Sequence, residues 1–380
     1  MILEWDPKSQ LLFTNGPKCN KYFRWYFNVF VVCGPMGFCA CAFIATHSKL
    51  FPPQLIVSSC MLGAMSLLVW LSSGFIIGGS HQLVSGVNSA AALKATMDTQ
   101  FCSYTSGKNK QMEKYWKIMS TGLKATILMF AGTTLTLTTV LIMFHIDQFS
   151  AILRVLFPIN SVCSNDSECA KIYNIFMLVY GFILGNICVS TACRFFAIYF
   201  SMLVYICELQ LRYLDTLNRL PLGVAMDLKF FKWYSALRIA NQVYEGPLSW
   251  MVAILIGDGF IIFVVCNVAT IKGYYIFPIE VYWLAPAVSL ICAFFAKFLL
   301  PVAIESDMVS RKLIWKRASY FDQGGNAPLK KKIVRAKYRA VRALTFKCGS
   351  LMRLEFGVDR MFFAGIFDRT MDILLMPSSK

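Results

Sequence analysis

Seven apolar runs, each close to the ~20 residues that carry a helix across a ~30 Å hydrocarbon layer at 1.5 Å per residue, leave this 380-residue chain few ways to fold. They cover residues 26–46, 55–78, 125–144, 172–193, 250–269, 282–304 and 357–376. None alternates apolar and polar residues like a barrel strand, and only helices and closed barrels satisfy their backbone inside lipid. A soluble reading fails on composition as well: 57% of the residues are hydrophobic and only 15% are charged. The expected architecture is an all-α polytopic membrane protein, one seven-helix domain over residues 1–380. The opening MILEWDPKSQLLFTNG has acidic and helix-breaking residues where a signal peptide needs a short basic and then apolar stretch. The first helix is therefore expected to serve as its own targeting signal.

The net charge of +17 could point to nucleic acid, but in a membrane protein the placement of Lys and Arg matters more than their number. They gather before the first run, between the second and third, between the fourth and fifth, and most densely between the sixth and seventh. The intervening connections hold only Lys49, Arg154, Lys171 and Lys272. Basic loops stay in the cytoplasm, so the N-terminus is expected inside and, after seven crossings, the C-terminus outside. The Asn165-Asp166-Ser167 glycosylation sequon lies in a connection that this rule places outside, flanked by Cys163 and Cys169. In an oxidising compartment those two cysteines form a candidate disulfide, although spacing alone does not establish its geometry. The opposite loop polarity sets the chain apart from G-protein-coupled receptors, whose N-terminus lies outside.

Apolar periodicity continues past the membrane limits. Residues 79–124 contain two helical stretches, and apolar residues from Phe196 to Leu217 extend the fourth helix until Leu220-Pro221-Leu222-Gly223 stops it. The segment FFKWYSALRIANQVYEGPLSWMVAIL feeds the fifth run through Gly246-Pro247. Together these predict a cytoplasmic helical layer whose apolar faces need partners, which other subunits could supply. Gly34-Pro35 predicts a kink in the first helix. Threonines at 126, 133, 134, 136, 138 and 139 admit either bonding back to their own helix or a polar path along it. Residues 305–356 form a cytoplasmic anchor segment. Its basic helix, KKKIVRAKYRAVRALTFK, beside a membrane face points to lipid contact or a solvated charged face rather than nucleic acid.

The last run is the anomaly, because it carries Asp368, Arg369 and Asp372. Charges at bilayer depth cost several kcal/mol unless paired or watered. Two readings stay open: pore lining, or a partly buried helix in which the aspartates pair with Arg369 or with a neighbour such as Lys297. Enzymatic chemistry has no foothold. Three scattered histidines, His47, His81 and His145, make no metal site, and neither a phosphate-binding loop nor a nucleophile elbow occurs. No cofactor or metal is expected.

Two stretches carry a resemblance. YSALRIANQVYEGPLSWMVAIL, with Leu237 and Asn241 in characteristic places, and Cys348-Gly349-Ser350 followed by Arg353-Leu354-Glu355 are similar to motifs of the arthropod gustatory and odorant receptor superfamily. Its members are tetrameric, ligand-gated, non-selective cation channels of the plasma membrane. The resemblance implies a chemosensory receptor channel, of the gustatory type, in a homo- or hetero-tetramer. Its partners would be a small-molecule tastant or odorant, cations and membrane lipid. It implies a pore lined by the last helix, with Asp368 and Asp372 as a cation-attracting ring, Arg369 beside them, and Met376 nearest the position of the family's pore-narrowing glutamine. The family's ligand pocket, in the outer half of the bundle, points here to Phe144, Phe176, Tyr180, Tyr282 and Trp283. The competing reading is a non-channel seven-helix receptor or small-molecule transporter.

Overall fold

The computed structural model describes residues 2–6, 11–15, 25–101, 110–143, 147–159, 167–275, 279–322, 329–350 and 352–376. Among these, helices dominate, and the longest run well beyond the apolar stretch that each contains. In chain order they are α1 (Trp25–Thr46), α2 (Pro53–Gln100), α3 (Lys110–Met143), α4 (Gln148–Leu156), α5 (Ser167–Arg219), α6 (Val224–Lys272), α7 (Leu284–Asp322), α8 (Leu329–Ala340) and α9 (Val358–Leu375). Five of them, α1, α2, α5, α6 and α7, contain stretches long and apolar enough to cross a membrane. The other two expected crossings fall on α3 and α9. Two antiparallel ribbons accompany the helices: β1 (Ile2–Asp6) with β2 (Leu11–Asn15), and β3 (Lys347–Cys348) with β4 (Met352–Arg353). The first lies in the opening stretch, ahead of the first apolar run.

The Gly34-Pro35 break takes the form of a π-wound segment, Asn28–Met36, inside α1. Proline has no N–H to give, and its ring collides with the carbonyl four residues earlier. Widening the winding relieves that collision without ending the helix. In contrast, α6 passes through Pro247 as a continuous helix. Here Gly79 of α2 makes room: a Cβ on it would lie 2.3 Å from the Pro247 ring. Two turns further along α2, a Cβ on Gly86 would lie 2.6 Å from the Tyr244 ring. Small residues thus set the close approach of α2 to α6, as they do in membrane helix pairs generally. A helix absent from the sequence reading, α4, sits in the connection before α5. Asp147 caps it, accepting hydrogen bonds from the N–H groups of Ser150 at 2.8 Å and Phe149 at 3.4 Å.

Two cores stack along the bundle. One is shared by α1, α2, α5, α6 and α7 and includes Val69, Leu203, Met251 and Leu300. The second lies in the helical extensions and α8, where Tyr213, Leu217, Phe230, Tyr234, Leu313 and Tyr338 pack together. The extensions therefore bury their apolar faces largely against one another, within a single chain. The described threonines of α3 bond back along their own helix, Thr134 to the Phe130 carbonyl at 2.9 Å and Thr138 to that of Thr134 at 2.9 Å.

Candidate functional site: the last helix and its cytoplasmic support

The chain reaches α9 through a clamped turn. Gly349 has φ +58°, a left-handed conformation that costs other residues about 1–2 kcal/mol. It turns β3 into β4, and its N–H donates to the Ser249 carbonyl of α6 at 2.8 Å. Lys347 pairs with Glu245 of α6 at 2.9 Å, and Glu355 pairs with Arg311 of α7 at 3.0 Å. Leu354 is buried, its N–H donating to the Phe346 carbonyl at 2.8 Å. Gly357, also left-handed at φ +97°, opens α9. The lead-in is thus tied to both helices that support α9.

The helix itself divides cleanly. Phe362, Phe363, Ile366 and Thr370 face Phe260, Phe263 and Val264 of α6 and Cys292 and Ala293 of α7. On the opposite side Met361, Asp368, Asp372 and Leu375 recur at helical spacing and are exposed. Arg369 and Asp372 form an ion pair at 3.1 Å, with side chains 70% and 55% exposed. Asp368 has no ionic partner among the described residues, and Lys297, exposed on α7, pairs with neither aspartate. Met376 caps the helix and is exposed. All four residues expected at the pore therefore lie on the side of α9 turned away from its own bundle.

The described ligand candidates fall on two stretches, α5 and residues 282–283. Phe176 and Tyr180 stack on α5 at 6.1 Å between centroids, and Phe176 is exposed. Tyr282 donates to the Thr270 carbonyl at 2.5 Å and meets the Tyr274 ring edge-on, while Trp283 is exposed. Phe144, Cys163 and Asn165 lie outside the described residues. Cys169 is disulfide-bonded.

Two polar features escaped the sequence reading. Below the membrane segments, Arg317 of α7 and Asp227 of α6 pair at 2.7 Å, 1% and 0% exposed. The second guanidinium nitrogen donates to the carbonyls of Leu217, at 3.0 Å, and Leu220, at 2.7 Å, and the group lies 4.6 Å from the centre of the Phe230 ring. Asp227 also accepts from the Gly223 N–H at 3.2 Å and from the Tyr338 hydroxyl of α8. Burial, and then the neighbouring carboxylate, push the Tyr338 hydroxyl well above its ordinary pKa, so it remains a donor. This cluster fastens the ends of α5 and α7, the start of α6 and α8 to one point. Closer to the membrane, Asn241 accepts from Tyr244, whose hydroxyl accepts from Gln210 at 2.8 Å; Ser306 donates to Gln210 at 2.8 Å. The second feature is Asp258 of α6, beside Cys292, with Oδ2 buried and lacking a hydrogen-bond partner among the described residues. A lone carboxylate in an apolar run was visible in the sequence as the signal.

Fold and site define a helical protein with several membrane-length apolar helices, a fastened second layer of helical extensions and a charged last helix open on one side among the described residues. That architecture is the fold of insect olfactory receptors. Olfactory receptor OR5 from Machilis hrabei in complex with eugenol superposes with a TM-score of 0.55 at 11% identity, over 96% of this chain and 93% of that one. The same receptor without the ligand gives 0.54 at 10% identity, over 96% and 94%. No protein-family signature and no curated protein sequence matches the chain.

Proposed function

We propose that the chain is a chemosensory receptor acting as a ligand-gated, non-selective cation channel of the plasma membrane. In this reading seven helices cross the bilayer with the N-terminus inside, and four copies, identical or mixed, surround an axis lined by α9. The observation that carries it is the two-sided last helix: one face packs on α6 and α7, while the opposite face presents Met361, Asp368, Asp372 and Leu375 to no part of its own bundle. Carboxylates on a helix at membrane depth need water or a partner, and a watered central pathway supplies the first. Asp368 and Asp372 then attract cations, Arg369 moderates that field, and Met376 stands near the outer mouth. The clamped lead-in through Gly349 and Glu355 would pass movements of α6 and α7 to the pore helix.

The activating ligand is a small organic molecule. The gustatory assignment rests on the sequence motifs, and the eugenol bound to the Machilis receptor adds phenolic odorants to the candidates. Phe144, Phe176, Tyr180, Tyr282 and Trp283 remain the proposed ligand residues, Asn165 the proposed glycosylation site, and Cys163 the proposed partner of Cys169. Whole-cell recording from cells expressing the chain, challenged with sugars, amino acids, bitter compounds and eugenol, tests the reading. A ligand-evoked cation current that persists with G-protein signalling blocked is expected. Ligand binding without current, or uptake alone, would overturn it in favour of a non-channel receptor or transporter.

A further inference from the structure

Beneath the membrane segments, α7, α8 and the β3–β4 ribbon enclose an open groove of about 490 Å³, lined in part by Arg311, Trp315, Arg339, Arg342, Thr345 and Arg353. A second hollow of about 590 Å³ adjoins it, shares Arg339, and adds Lys332 and Arg335. Among the described residues, no aspartate or glutamate lines either one. Arg311 is engaged by Asp307 at 2.8 Å and Glu355 at 3.0 Å. Among the described residues, Arg339, Arg342 and Arg353 have no carboxylate partner. Trp315 is 72% exposed and forms an aromatic wall.

The convergence is built by the fold. Val334 and Tyr338 bury one side of α8 in the second core, which turns Lys332 and Arg339 outward along the other, with Arg335 half-buried at the edge. Arg342 follows in the extended segment after α8, and pairing of β4 with β3 brings Arg353 from a separate stretch of chain. Like charges drawn together from three elements repel one another and destabilise the empty groove. Guanidinium forks match phosphate oxygens in pairs, and phosphate would reverse that repulsion.

We propose that this groove is a binding site for a multiply phosphorylated anion, either the headgroup of a polyphosphoinositide or a soluble polyphosphate. On the membrane reading above, Arg311 lies seven residues past the end of the sixth crossing, about 10 Å below the inner boundary at 1.5 Å per residue. Both sources reach that depth. Because Arg353 lies two residues before Glu355 and close to α9, a bound anion would brace the lead-in to the last helix; this consequence rests on the channel reading, whereas the binding does not.

The test uses purified full-length protein in phosphatidylcholine nanodiscs, with inositol hexakisphosphate as the soluble probe and phosphatidylinositol 4,5-bisphosphate as the lipid probe. Binding of the soluble probe by calorimetry, or of the lipid by native mass spectrometry, is expected, and which one binds identifies the source. The R339Q/R342Q/R353Q variant should keep the unliganded melting temperature and lose about tenfold in affinity for each arginine removed. Hydroxyl-radical labelling of Trp315 should be efficient without probe and suppressed with it. Failure of both probes, equal binding by the variant, or a Trp315 already shielded in the unliganded assembly, which would mean that another chain fills the groove, overturns the proposal. A protein that binds the probe yet passes no current keeps this site and removes the channel reading.

Discussion

Arg317 with Asp227 and Arg369 with Asp372 are the same chemical pair in opposite surroundings. The first meets at 2.7 Å, 1% and 0% exposed, under a lid of Phe230 and Tyr338. The second meets at 3.1 Å on an open helix face, 70% and 55% exposed. A buried pair gains little over an apolar replacement of both partners, but removing one partner strands a charge in a low-dielectric site. An exposed pair contributes about 0–1 kcal/mol to stability because water and salt screen it. The Arg317–Asp227 cluster therefore fixes where the helices stand, whereas the charges of α9 contribute almost nothing to holding the chain together. Charges that do not stabilise a fold are free to serve another role, which on the proposed channel reading is conduction.

The comparison breaks first at Arg317. Arg317→Met should destabilise the protein by about 3–5 kcal/mol, since Asp227 would keep its charge and lose its main partner. The measurement is the unfolding midpoint in detergent, together with the yield of monodisperse protein. Adding Asp227→Leu should recover most of the loss, and a double variant no better than the single one would mean that the pair is not the fastening point. Tyr338→Phe removes one donor to the same carboxylate and should cost about 1.5–3 kcal/mol, the range for a hydrogen bond to a charged group. At the lead-in, Gly349→Ala forces a side chain into a left-handed conformation with its Cβ 3.3 Å from that of Ala253. A loss of about 1–2 kcal/mol is expected, and an unchanged midpoint would show that the turn relaxes freely.

The two regions also differed in how far the sequence disclosed them. Apolar length was enough to outline the long helices, and the apolar repeat from Phe196 to Leu217 carried the fourth run on as one helix, α5, which extends to Arg219. Asp368, Arg369 and Asp372 stood out because each contradicts its apolar neighbours within a few residues. Arg317 gave no such sign. It lies in a basic stretch where any lysine or arginine reads as solvated, and its partner is 90 residues away. Pairing at that separation depends on how helices are placed, which periodicity does not encode. What buries the apolar faces of the helical extensions stayed open in the sequence for the same reason: Tyr213, Leu217 and Tyr234 are covered by residues of the same chain. Helix α4 was legible in principle, since Asp147 followed by QFSAILRVL is a cap and an apolar repeat, but at nine residues it is too short to register among membrane-length runs. Asp258 was equally legible as a carboxylate inside an apolar run.

The smallest effect on stability sharpens the comparison most. Asp368→Asn with Asp372→Asn should shift the unfolding midpoint by no more than about 0.5 kcal/mol, the usual range for exposed substitutions. In ligand-evoked recordings the same variant should lower unitary cation conductance several-fold at low ionic strength. As salt rises the deficit should shrink, because the Debye length falls from about 30 Å at 0.01 M to about 8 Å at 0.15 M and bulk cations no longer depend on the ring for concentration. Arg369→Gln removes the opposing charge and should move conductance the other way. A conductance change that ignores salt would point to altered packing of α9 rather than a charged pathway. If conductance is unchanged by all three substitutions, the open face of α9 does not line the pore, and its carboxylates must be watered from some other side.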